Sequence, residues 1–521
     1  MKIVTAAQMV ALEQASERQG VSTDTLMENA GLAVARVARD QLGSVAGAKV
    51  LVLVGPGNNG ADGLVVARHL QRWGAEVTAY IVTRRPDSDP KMELALHYGI
   101  SVFYSNEDHD LQRLDQLLSR CQLVIDAVLG TGSARPLEGI PREIMLRVNA
   151  CRDRNRRPVL LALDLPTGLN TDTGQVDPAC LTADVTVALG FPKVGLLTFP
   201  GAERVGQLVV VDIGLPAGMP EENGIDLELL TPGWVGRQLP SRPLNSHKGT
   251  FGHVLVVAGS RNYVGAAYLA AQSAVRAGAG LVTLATPQSV YPIAASKLTE
   301  VIHLPLPEDD DGRIHLDAAT VIHHNRSRYD ALVLGCGMGW SEGTTAFLQR
   351  LLLDGLKLNV PTVIDADGLN NLSRLPNWWQ SLAGPAVLTP HPGEMATLTG
   401  VPTQEIQQDR VASARQWAAT WNTAVVLKGA HTVIAEPGGL VSVSPFANPG
   451  LASGGTGDVL TGIIGGLMAQ GLSPHLAACC GVYLHGRAAE SVVQQRGNAG
   501  TVASDLIEVL PETINWVREN S

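Results

Sequence analysis

Residues 50–63 read VLVLVGPGNNGADG, five apolar residues followed by a turn rich in glycine and asparagine. A helical pattern of apolar residues begins at Leu64, directly after this turn. Similar apolar runs, each followed by Gly, Asp or Pro and then by a helical pattern, recur along the chain, for example at 159–163 and 254–258. Strands that are apolar on both faces and alternate with helices are typical of a buried parallel sheet. The sequence therefore predicts the α/β fold class.

The organisation along the chain indicates two domains. Its 521 residues are too many for one compact core, so two or three domains are expected. Residues 214–249 are rich in Pro, Gly and polar residues, which is typical of a linker. Polar motifs at strand ends form two complete sets, so we predict two domains, at 1–225 and 226–521. Two helices, at 8–19 and 26–42, are predicted ahead of the first strand.

Composition excludes several classes of partner. The chain has 39 basic and 49 acidic residues, and neither predicted domain has the basic excess that neutralises a phosphate backbone, so no nucleic-acid partner is expected. The N-terminus lacks the apolar core of a secretory signal, and no uncharged apolar run reaches the ~18 residues of a membrane span. The six cysteines show neither C-x-x-C spacing nor zinc-type pairing with His. We expect a cytoplasmic protein with inert thiols and no membrane partner.

The turn after the first strand, at 55–63, matches the pattern G-x-G-x-x-G, whose glycines let backbone amides approach a pyrophosphate. A redox dinucleotide fold also needs an acidic residue near the end of the second strand. This chain has Thr83, Arg84 and Arg85 at that point. The redox interpretation is therefore not favoured.

Oxygen-bearing side chains follow three strands of the first domain. They are Asn58, Asn59 and Asp62 after the first strand, Asp126 in VIDAVLGTG, and Asp164 with Thr167 in LALDLPTG. Converging carboxylate and carbonyl oxygens without His or Cys suit a hard cation or a general base held by hydrogen bonds. Turn formation alone would also account for Asn and Asp in any one of these loops.

The motifs LMENAG (26–31), GPGNNGADG (55–63), DAVLGTG (126–132) and DLPTG (164–168) are similar to the YjeF N-terminal family, which epimerises NAD(P)H hydrate. The resemblance implies a Rossmann-like three-layer sandwich, a potassium ion held by Asn59, Asp126 and Thr167, and catalytic contact between Asp164 and the reacting part of the hydrate. The other implied hydrate-binding residues are Asn58, Asn59, Gly60, Ala61, Asp62, Gly130, Thr131, Gly132, Ser133, Ala134, Arg135 and Pro136. Ala61 and Thr167 depart from the family pattern, which has glycine and serine at these positions.

In the second domain, the turn SGGTGD (453–458) precedes a helix that is apolar nearly all round and is predicted to be buried. Backbone amides of such a turn form an anion site that suits phosphate. Asp458 is placed to take a proton from a hydroxyl beside the phosphoryl group, although an acid there could also merely complement the helix dipole. Other strand ends carry GCGMG (335–339), DADGLN (365–370), HPGE (391–394) and KGAHT (428–432).

Together with HKGTFGHVLVVAGS (247–260) and GAA (265–267), these motifs resemble the YjeF C-terminal family, a ribokinase-like fold with ADP-dependent NAD(P)H-hydrate dehydratase activity. The resemblance implies ADP contact by Lys428, Gly429, Ala430, His431, Thr432 and Gly457, and hydrate contact by Ala266, Gly339, His391 and Asp458. It implies phosphoryl transfer to the C6 hydroxyl of the hydrate with Asp458 as base, followed by loss of phosphate. Magnesium is expected on the nucleotide phosphates.

The predicted function is bifunctional metabolite repair. The first domain interconverts the R and S epimers of NADH and NADPH hydrate, and the second dehydrates the S epimer with ADP, releasing AMP and phosphate. The partners expected are these small molecules and further copies of the chain in a homo-oligomer. The alternatives are a ribokinase-like small-molecule kinase and a first domain that only binds a ligand. Because an acidic chain would repel a polyanionic substrate, recognition is expected to come from backbone amides, Lys428 and bound cations.

Overall fold

The computed structural model describes residues 1–86, 88–132, 136–153, 157–356 and 358–521. The chain forms two compact units, Met1–Ile225 and Asp226–Ser521, and each contains a β-sheet covered by helices. The α/β fold class predicted from the sequence is therefore confirmed. No helix within the described ranges is long and apolar enough to cross a membrane.

The first unit contains a parallel sheet. Its elements in chain order are α1 (Ala6–Arg18), α2 (Thr23–Leu42), β1 (Lys49–Val54), α3 (Asn58–Arg72), β2 (Glu76–Ile81), α4 (Pro90–His97), β3 (Ser101–Tyr104), α5 (Gln112–Leu118), β4 (Leu123–Ala127), α6 (Gly139–Ala150), β5 (Val159–Leu163), β6 (Val185–Leu189) and β7 (Gln207–Val211). The order across the sheet is β3-β2-β1-β4-β5-β6-β7, with every neighbouring pair parallel. Because the strand order reverses between β1 and β4, a crevice for a ligand is expected at their carboxyl ends.

Both faces of β1 are buried, as the unbroken apolar run predicts. Val52 packs in a cluster with Val34 of α2, and Leu53 packs in a separate cluster with Ile144 of α6. Successive side chains of a strand point to opposite faces of the sheet, so a strand with a core on each side needs an apolar residue at every position. This packing fixes the position of the turn that follows β1.

The first two helices begin earlier than the predicted 8–19 and 26–42. The side chain of Thr5 accepts a hydrogen bond from the backbone of Gln8, and the side chain of Gln8 accepts one from the backbone of Thr5. Ser22 caps α2 by accepting a hydrogen bond from the N–H of Thr25. The apolar pattern marks where a helix meets the core, whereas the caps decide where it begins.

The second unit contains a larger, mixed sheet. Its elements are β8 (Leu227–Leu229), α7 (Pro232–Gln238), β9 (His253–Val257), α8 (Val264–Arg276), β10 (Leu281–Pro287), α9 (Tyr291–Ala295), β11 (Ile302–Leu306), α10 (Ala318–His324), β12 (Ala331–Leu334), α11 (Glu342–Leu352), β13 (Thr362–Ile364), α12 (Asp367–Leu372), β14 (Ala386–Leu388), α13 (Pro392–Thr399), α14 (Thr403–Gln408), α15 (Arg410–Trp421), β15 (Ala424–Leu427), β16 (Val433–Ala435), β17 (Val441–Val443), α16 (Thr456–Ala469), α17 (Pro474–Arg496) and α18 (Ala503–Glu519). The order across the sheet is β11-β10-β9-β12-β13-β14-β15-β16-β17-β8.

The parallel arrangement predicted for this unit holds from β11 to β15 but not at β16, an internal strand of the sheet. There β16 runs antiparallel to both β15 and β17. The segment between β15 and β16 is short, and a parallel crossover needs about a dozen residues or more, so the chain can only turn back as a hairpin. The KGAHT segment is therefore a hairpin loop and does not lead into a helix.

The segment 214–249, interpreted as a linker from its composition, contains two regular elements. Strand β8 pairs with β17 at the edge of the second sheet, and helix α7 follows it. A strand of three residues carries too short a pattern to be recognised locally. Its partner strand supplies the hydrogen bonds that define it, and that partner lies far along the chain.

Helix α16 is buried almost all round, as its composition predicts. It packs between α8 and α17, where Gly462 contacts the backbone of α8. A Cβ atom at Gly462 would overlap the carbonyl oxygen of Ala270 and the Oγ of Ser273. The glycines of this helix therefore allow the close helix approach that holds its N-terminus at the strand ends.

Gly462→Ala is expected to lower the free energy of unfolding by about 1–3 kcal/mol, the usual cost of overpacking, because the backbone of α8 cannot move aside. Alanine has a higher helix propensity than glycine, so propensity alone predicts that the substitution raises the free energy of unfolding. The melting temperature measured by calorimetry tests this. Gly355→Ala serves as the control, since nothing lies within 4 Å of its added Cβ atom. An unchanged or higher melting temperature for Gly462→Ala would contradict the packing account.

Candidate functional site

In the first unit a cavity of about 700 Å³ lies at the carboxyl ends of the strands. Seven of the predicted hydrate-binding residues line it: Asn58, Asn59, Asp62, Gly130, Thr131, Gly132 and Asp164. Gly60 and Ala61 lie in the first turn of α3 and do not line the cavity, nor does the exposed Pro136. The predicted residues Ser133, Ala134 and Arg135 lie outside the described residues.

An arginine supports the turn that follows β1. The guanidinium of Arg85 donates hydrogen bonds to the carbonyl oxygens of Gly55 and Gly57, and its Nε donates to Asp89 at 2.5 Å. A Cβ atom at Gly60 would overlap the Gly55 carbonyl, so glycine is required there. Arg85 is one of the residues that follow β2 where a redox dinucleotide fold has an acid, and here its side chain binds the carbonyl oxygens of the turn.

A buried ion pair lies in the wall of this cavity. The Nζ of Lys193, which is fully buried, donates a hydrogen bond to Asp164 Oδ1 and another to the carbonyl oxygen of Leu189 at 2.9 Å. The N–H of Leu189 also donates to Asp164 Oδ1. Asp164 has a φ of 69°, an uncommon backbone conformation for a residue other than glycine. Strained residues of this kind cluster at functional sites because the surrounding structure must hold them in place.

Two further carboxyl groups face this ion pair. Burial, followed by the charges of Asp164 and Glu13, raises the pKa of Asp62 well above its usual value. Burial and the charge of Asp164 also raise the pKa of Glu13. One paired carboxylate and two carboxyl groups that favour their protons can act as base and acid on the same substrate.

The sequence predictions did not include Lys193 or Glu13. Lys193 lies four residues after the end of β6, in the segment FPKVG, so the strand-end criterion applied to the other loops would have found it. Glu13 lies on α1, ahead of the sheet, and nothing in its local sequence distinguishes it from a solvated acid.

The residues predicted to hold potassium form one connected group. Asp126 is fully buried and accepts hydrogen bonds of 2.7 Å from both the N–H and the hydroxyl of Thr167. The N–H of Leu129 donates to that hydroxyl, and the side chain of Asn59 packs against the next residue, Gly130. Among the residues that the structure describes, the buried Nδ2 of Asn59 has no hydrogen-bond partner.

No side chain that the structure describes neutralises the buried carboxyl group of Asp126. Burial raises the pKa of Asp126 to about 6, although the hydrogen bonds from Thr167 oppose this. No basic side chain in the described ranges forms an ion pair with it. An oxygen-rich group with one uncompensated carboxylate fits a monovalent hard cation.

In the second unit, Asp458 lies in the first turn of α16, after Gly455 in the left-handed conformation. Burial, followed by the charge of Asp365, raises the pKa of Asp458 to about 6. One carboxylate oxygen each from Asp365 and Asp458 and the Sγ of Cys336 lie within 4.8 Å of one another. The predicted base thus shares a buried site with a second acid and a thiol.

Lys428 lies close to two acids at this site. The Nζ of Lys428 lies 2.6 Å from Asp365 Oδ1 and 3.6 Å from Glu394 Oε2, and the hydroxyl of Thr461 donates to Asp365 Oδ2 at 2.7 Å. Burial acts to lower the pKa of Lys428, but the charges of Asp365 and Glu394 outweigh it and raise the pKa. A Cβ atom at Gly457 would lie 3.5 Å from the Lys428 Nζ, so this ammonium group faces the glycine turn. Phosphate bound at the turn would lie beside Lys428.

The structure also shows what His391 does. It is the N-cap of α13, and its Nδ1 accepts hydrogen bonds from the N–H groups of Gly393 and Glu394. Its Nε2 lies 3.5 Å from Glu394 Oε1. The ring therefore caps the helix through Nδ1, and Nε2, beside Glu394, is the ring nitrogen that remains for contact with a ligand.

The predicted ADP-binding residues other than Gly457 form the loop between β15 and β16. The guanidinium of Arg410 donates to the carbonyl oxygens of Leu427 and Lys428 beneath this loop, and burial lowers its pKa to about 10. Within the loop, the hydroxyl of Thr432 donates to the carbonyl oxygen of Gly429 at 2.8 Å. The sequence predictions included neither Arg410 nor Thr461, because their partners are distant along the chain.

The remaining two predicted hydrate-contact residues lie at the ends of β9 and β12. Ala266 is in the first turn of α8 and packs against Gly337, and the N–H of Gly339 donates to Asp367 Oδ2 at 2.9 Å. Strands β9 and β12 are adjacent in the sheet, so Ala266 and Gly339 border the same edge of the site.

Comparisons with known proteins agree with both resemblances. Residues 23–195 match the sequence model of the family described as YjeF-related protein N-terminus, and residues 254–512 match that described as NAD(P)H-hydrate dehydratase. Among solved structures, the ADP/ATP-dependent NAD(P)H-hydrate dehydratase from Bacillus subtilis, co-crystallised with ATP/Mg²⁺, is 34% identical with a TM-score of 0.48. That match covers 56% of this chain and 98% of the other.

Two relatives match the chain from end to end. The bifunctional NAD(P)H-hydrate repair enzyme Nnr of Moorella thermoacetica is 41% identical, and the match covers 100% of this chain and 98% of that protein. The protein of the same name from Thermofilum pendens is 37% identical, covering 100% and 97%. The chain therefore belongs to the family of bifunctional NAD(P)H-hydrate repair enzymes.

Proposed function

We propose that the chain repairs hydrated NADH and NADPH in two steps. The first unit interconverts the R and S epimers, and the second converts the S epimer to NAD(P)H with ADP, releasing AMP and phosphate. The observation that carries this proposal is that each unit of this family member contains a lysine, fully buried in the first unit and mostly buried in the second, paired with an aspartate beside further acids. Each cluster offers a base next to a binding site for an anionic substrate.

The chemistry proposed for the first unit is reversible ring opening at C6, the carbon that carries the hydroxyl. Asp164 takes the hydroxyl proton as the C6–N1 bond breaks, and Asp62 delivers a proton to N1, leaving an open-chain aldehyde. Rotation and reclosure from the other face invert C6, and both protons return. The raised pKa of Asp62 supports its role as the acid, and the ammonium of Lys193 supports Asp164 as the carboxylate.

Potassium in this proposal is held by Asn59, Asp126 and Thr167. When bound, it would supply the positive charge that Asp126 lacks and would steady the loop that lines the cavity. The residues of the chain carry out the proton transfers.

In the second unit, Asp458 takes the proton of the C6 hydroxyl, and the oxygen attacks the terminal phosphorus of ADP as the bond to AMP breaks. Phosphate then leaves with the C–O electrons, and loss of a proton from C5 restores the dihydropyridine. Lys428 faces the turn at Gly457 and balances the phosphate charge. Asp365 offers the carboxylate that would share Mg²⁺ with the nucleotide, while Asp458 remains the base. Because Lys428 already neutralises Asp365, we expect the phosphates to hold most of the coordination of that ion.

Asp164→Asn in the full chain is expected to abolish epimerisation and leave dehydration intact, because the amide cannot accept the hydroxyl proton. Mixed R and S hydrate is supplied with ADP, and the return of NADH absorbance is followed over times short relative to spontaneous epimerisation. Wild type consumes both epimers, and the variant stops when the S fraction is gone. Asp40→Asn, which changes an exposed aspartate of the same unit, is expected to behave as wild type. Full consumption by Asp164→Asn would refute the assigned base.

Dehydration is expected to depend on the ionisation of Asp458. Because burial raises the pKa of this base to about 6, kcat falls as the pH drops through 6, approaching about tenfold per pH unit below that. Asp458→Asn removes the base and is expected to abolish turnover of the S epimer. Asp505→Asn is the control, because it removes an acid from the first turn of a different helix, α18. It is expected to retain turnover of the S epimer.

A flat profile between pH 5 and 7, or turnover by Asp458→Asn, would exclude this base. Accumulation of a stable phosphorylated product in place of NADH would favour the small-molecule kinase alternative.

A further inference from the structure

An exposed tryptophan lies beside the second site. Trp340 is 56% exposed, and the Cζ of Arg374 lies 4.1 Å from the centroid of its ring. Arg374 forms no ion pair with any carboxylate in the described part of the chain. A guanidinium stacked on one side of an indole keeps its N–H groups at the rim available for a ligand. Neither residue belongs to the sites described above.

The backbone ties this pair to the reaction centre. Trp340 follows Gly339, whose N–H is held by Asp367, and lies four residues after Cys336, whose Sγ lies beside Asp458. Four residues span at most about 14 Å, and Trp340 is exposed whereas Cys336 is fully buried, so the indole lies outside the buried reaction centre but within reach of it. The position suits a part of the substrate that is remote from the ring being repaired.

Two neighbours extend the same surface. The Nη1 of Arg313 donates to the carbonyl oxygen of Trp340 at 3.3 Å. Tyr263, also 56% exposed, precedes α8, and a Cβ atom at Gly337 would lie 2.7 Å from the Tyr263 Cβ. Aromatic faces next to guanidinium groups recognise a nucleotide, because the base stacks and the phosphate pairs with the cation.

The order of strands decides which nucleotide lies here. Trp340 follows β12, whereas the loop proposed to bind ADP follows β15, three strand spacings or about 14 Å away across the sheet. Asp365, at the end of β13, lies between them. The surface is on the side of Ala266 and Gly339, so it belongs with the hydrate and not with ADP.

We propose that Trp340, stacked on Arg374, is the subsite for the adenylate half of the hydrated dinucleotide. The proposal rests on the dehydration proposed above. The reacting nicotinamide ring lies at Asp458, and the second base of the same molecule stacks on the open part of the indole. Arg374 contacts the phosphate attached to that half. Such binding is equal in the ground state and the transition state, so it lowers KM for the hydrate and leaves kcat unchanged.

Trp340→Ala is expected to raise KM for S-NADH hydrate about tenfold, with kcat and KM for ADP within twofold of wild type. Trp340→Phe keeps a stacking ring and is expected to recover most of the affinity. ADP-ribose, which lacks the nicotinamide, is expected to compete with the hydrate in wild type and to lose affinity in Trp340→Ala. Arg374→Gln is expected to raise KM for the hydrate. Arg487→Gln is its matched control, because Arg487 stacks on Trp516 at the same 4.1 Å away from the strand ends, and it is expected to have no effect.

Three results would overturn the subsite. These are an unchanged KM for the hydrate in Trp340→Ala, an equal rise in KM for ADP, and the failure of ADP-ribose to compete in wild type. Failure of the proposed function itself is separate, since wild type would then return no NADH from the hydrate with ADP. The circular dichroism spectrum and melting temperature of each variant show that a change in KM is not a loss of folding.

Discussion

The ammonium group of a lysine balances negative charge at the strand ends of each unit. Lys193 contacts Asp164 in the first unit, and the Nζ of Lys428 lies 2.6 Å from Asp365 in the second. Removing a charge from water costs several kcal/mol even after the protein relaxes, so a buried carboxylate persists as an anion only with a partner of this kind. Each lysine follows a strand closely, so the sheet itself positions the pair. The arrangement of both sites depends on these contacts.

The acids left outside each ion pair acquire different properties. Burial raises the pKa of Asp62 and Glu13 in the first unit and that of Asp458 in the second. Neighbouring acids with separated pKa values can divide the roles of base and acid. In the function proposed above, the two units therefore use one electrostatic principle for two reactions, proton exchange at a ring in one and phosphoryl transfer followed by elimination in the other.

The glycine turns need support of a different kind. When a turn points its backbone N–H groups at a ligand, its carbonyl oxygens point away from the ligand. Buried carbonyl oxygens need hydrogen-bond donors. Arg85 supplies them behind the first turn, and Arg410 supplies them beneath the hairpin loop of the second unit. From the sequence, Arg85 was only a residue that did not fit a redox dinucleotide fold. Its supporting role depends on β1 and β2 being neighbours in the sheet.

The amino-acid sequence by itself determined the α/β class, the buried parallel strands and the loops at the strand ends, because these depend on apolar periodicity and on turn residues close together in the chain. It also pointed to Asp164 and Asp458 through motifs that are local. Only the tertiary structure decided that Lys193 pairs with Asp164, that Glu13 faces the same cavity, and that β16 runs antiparallel to its neighbours. Ion pairs and strand pairing join residues that are distant along the chain, and their energy depends on burial and distance. Those quantities exist only once the sheet has brought the strand ends together.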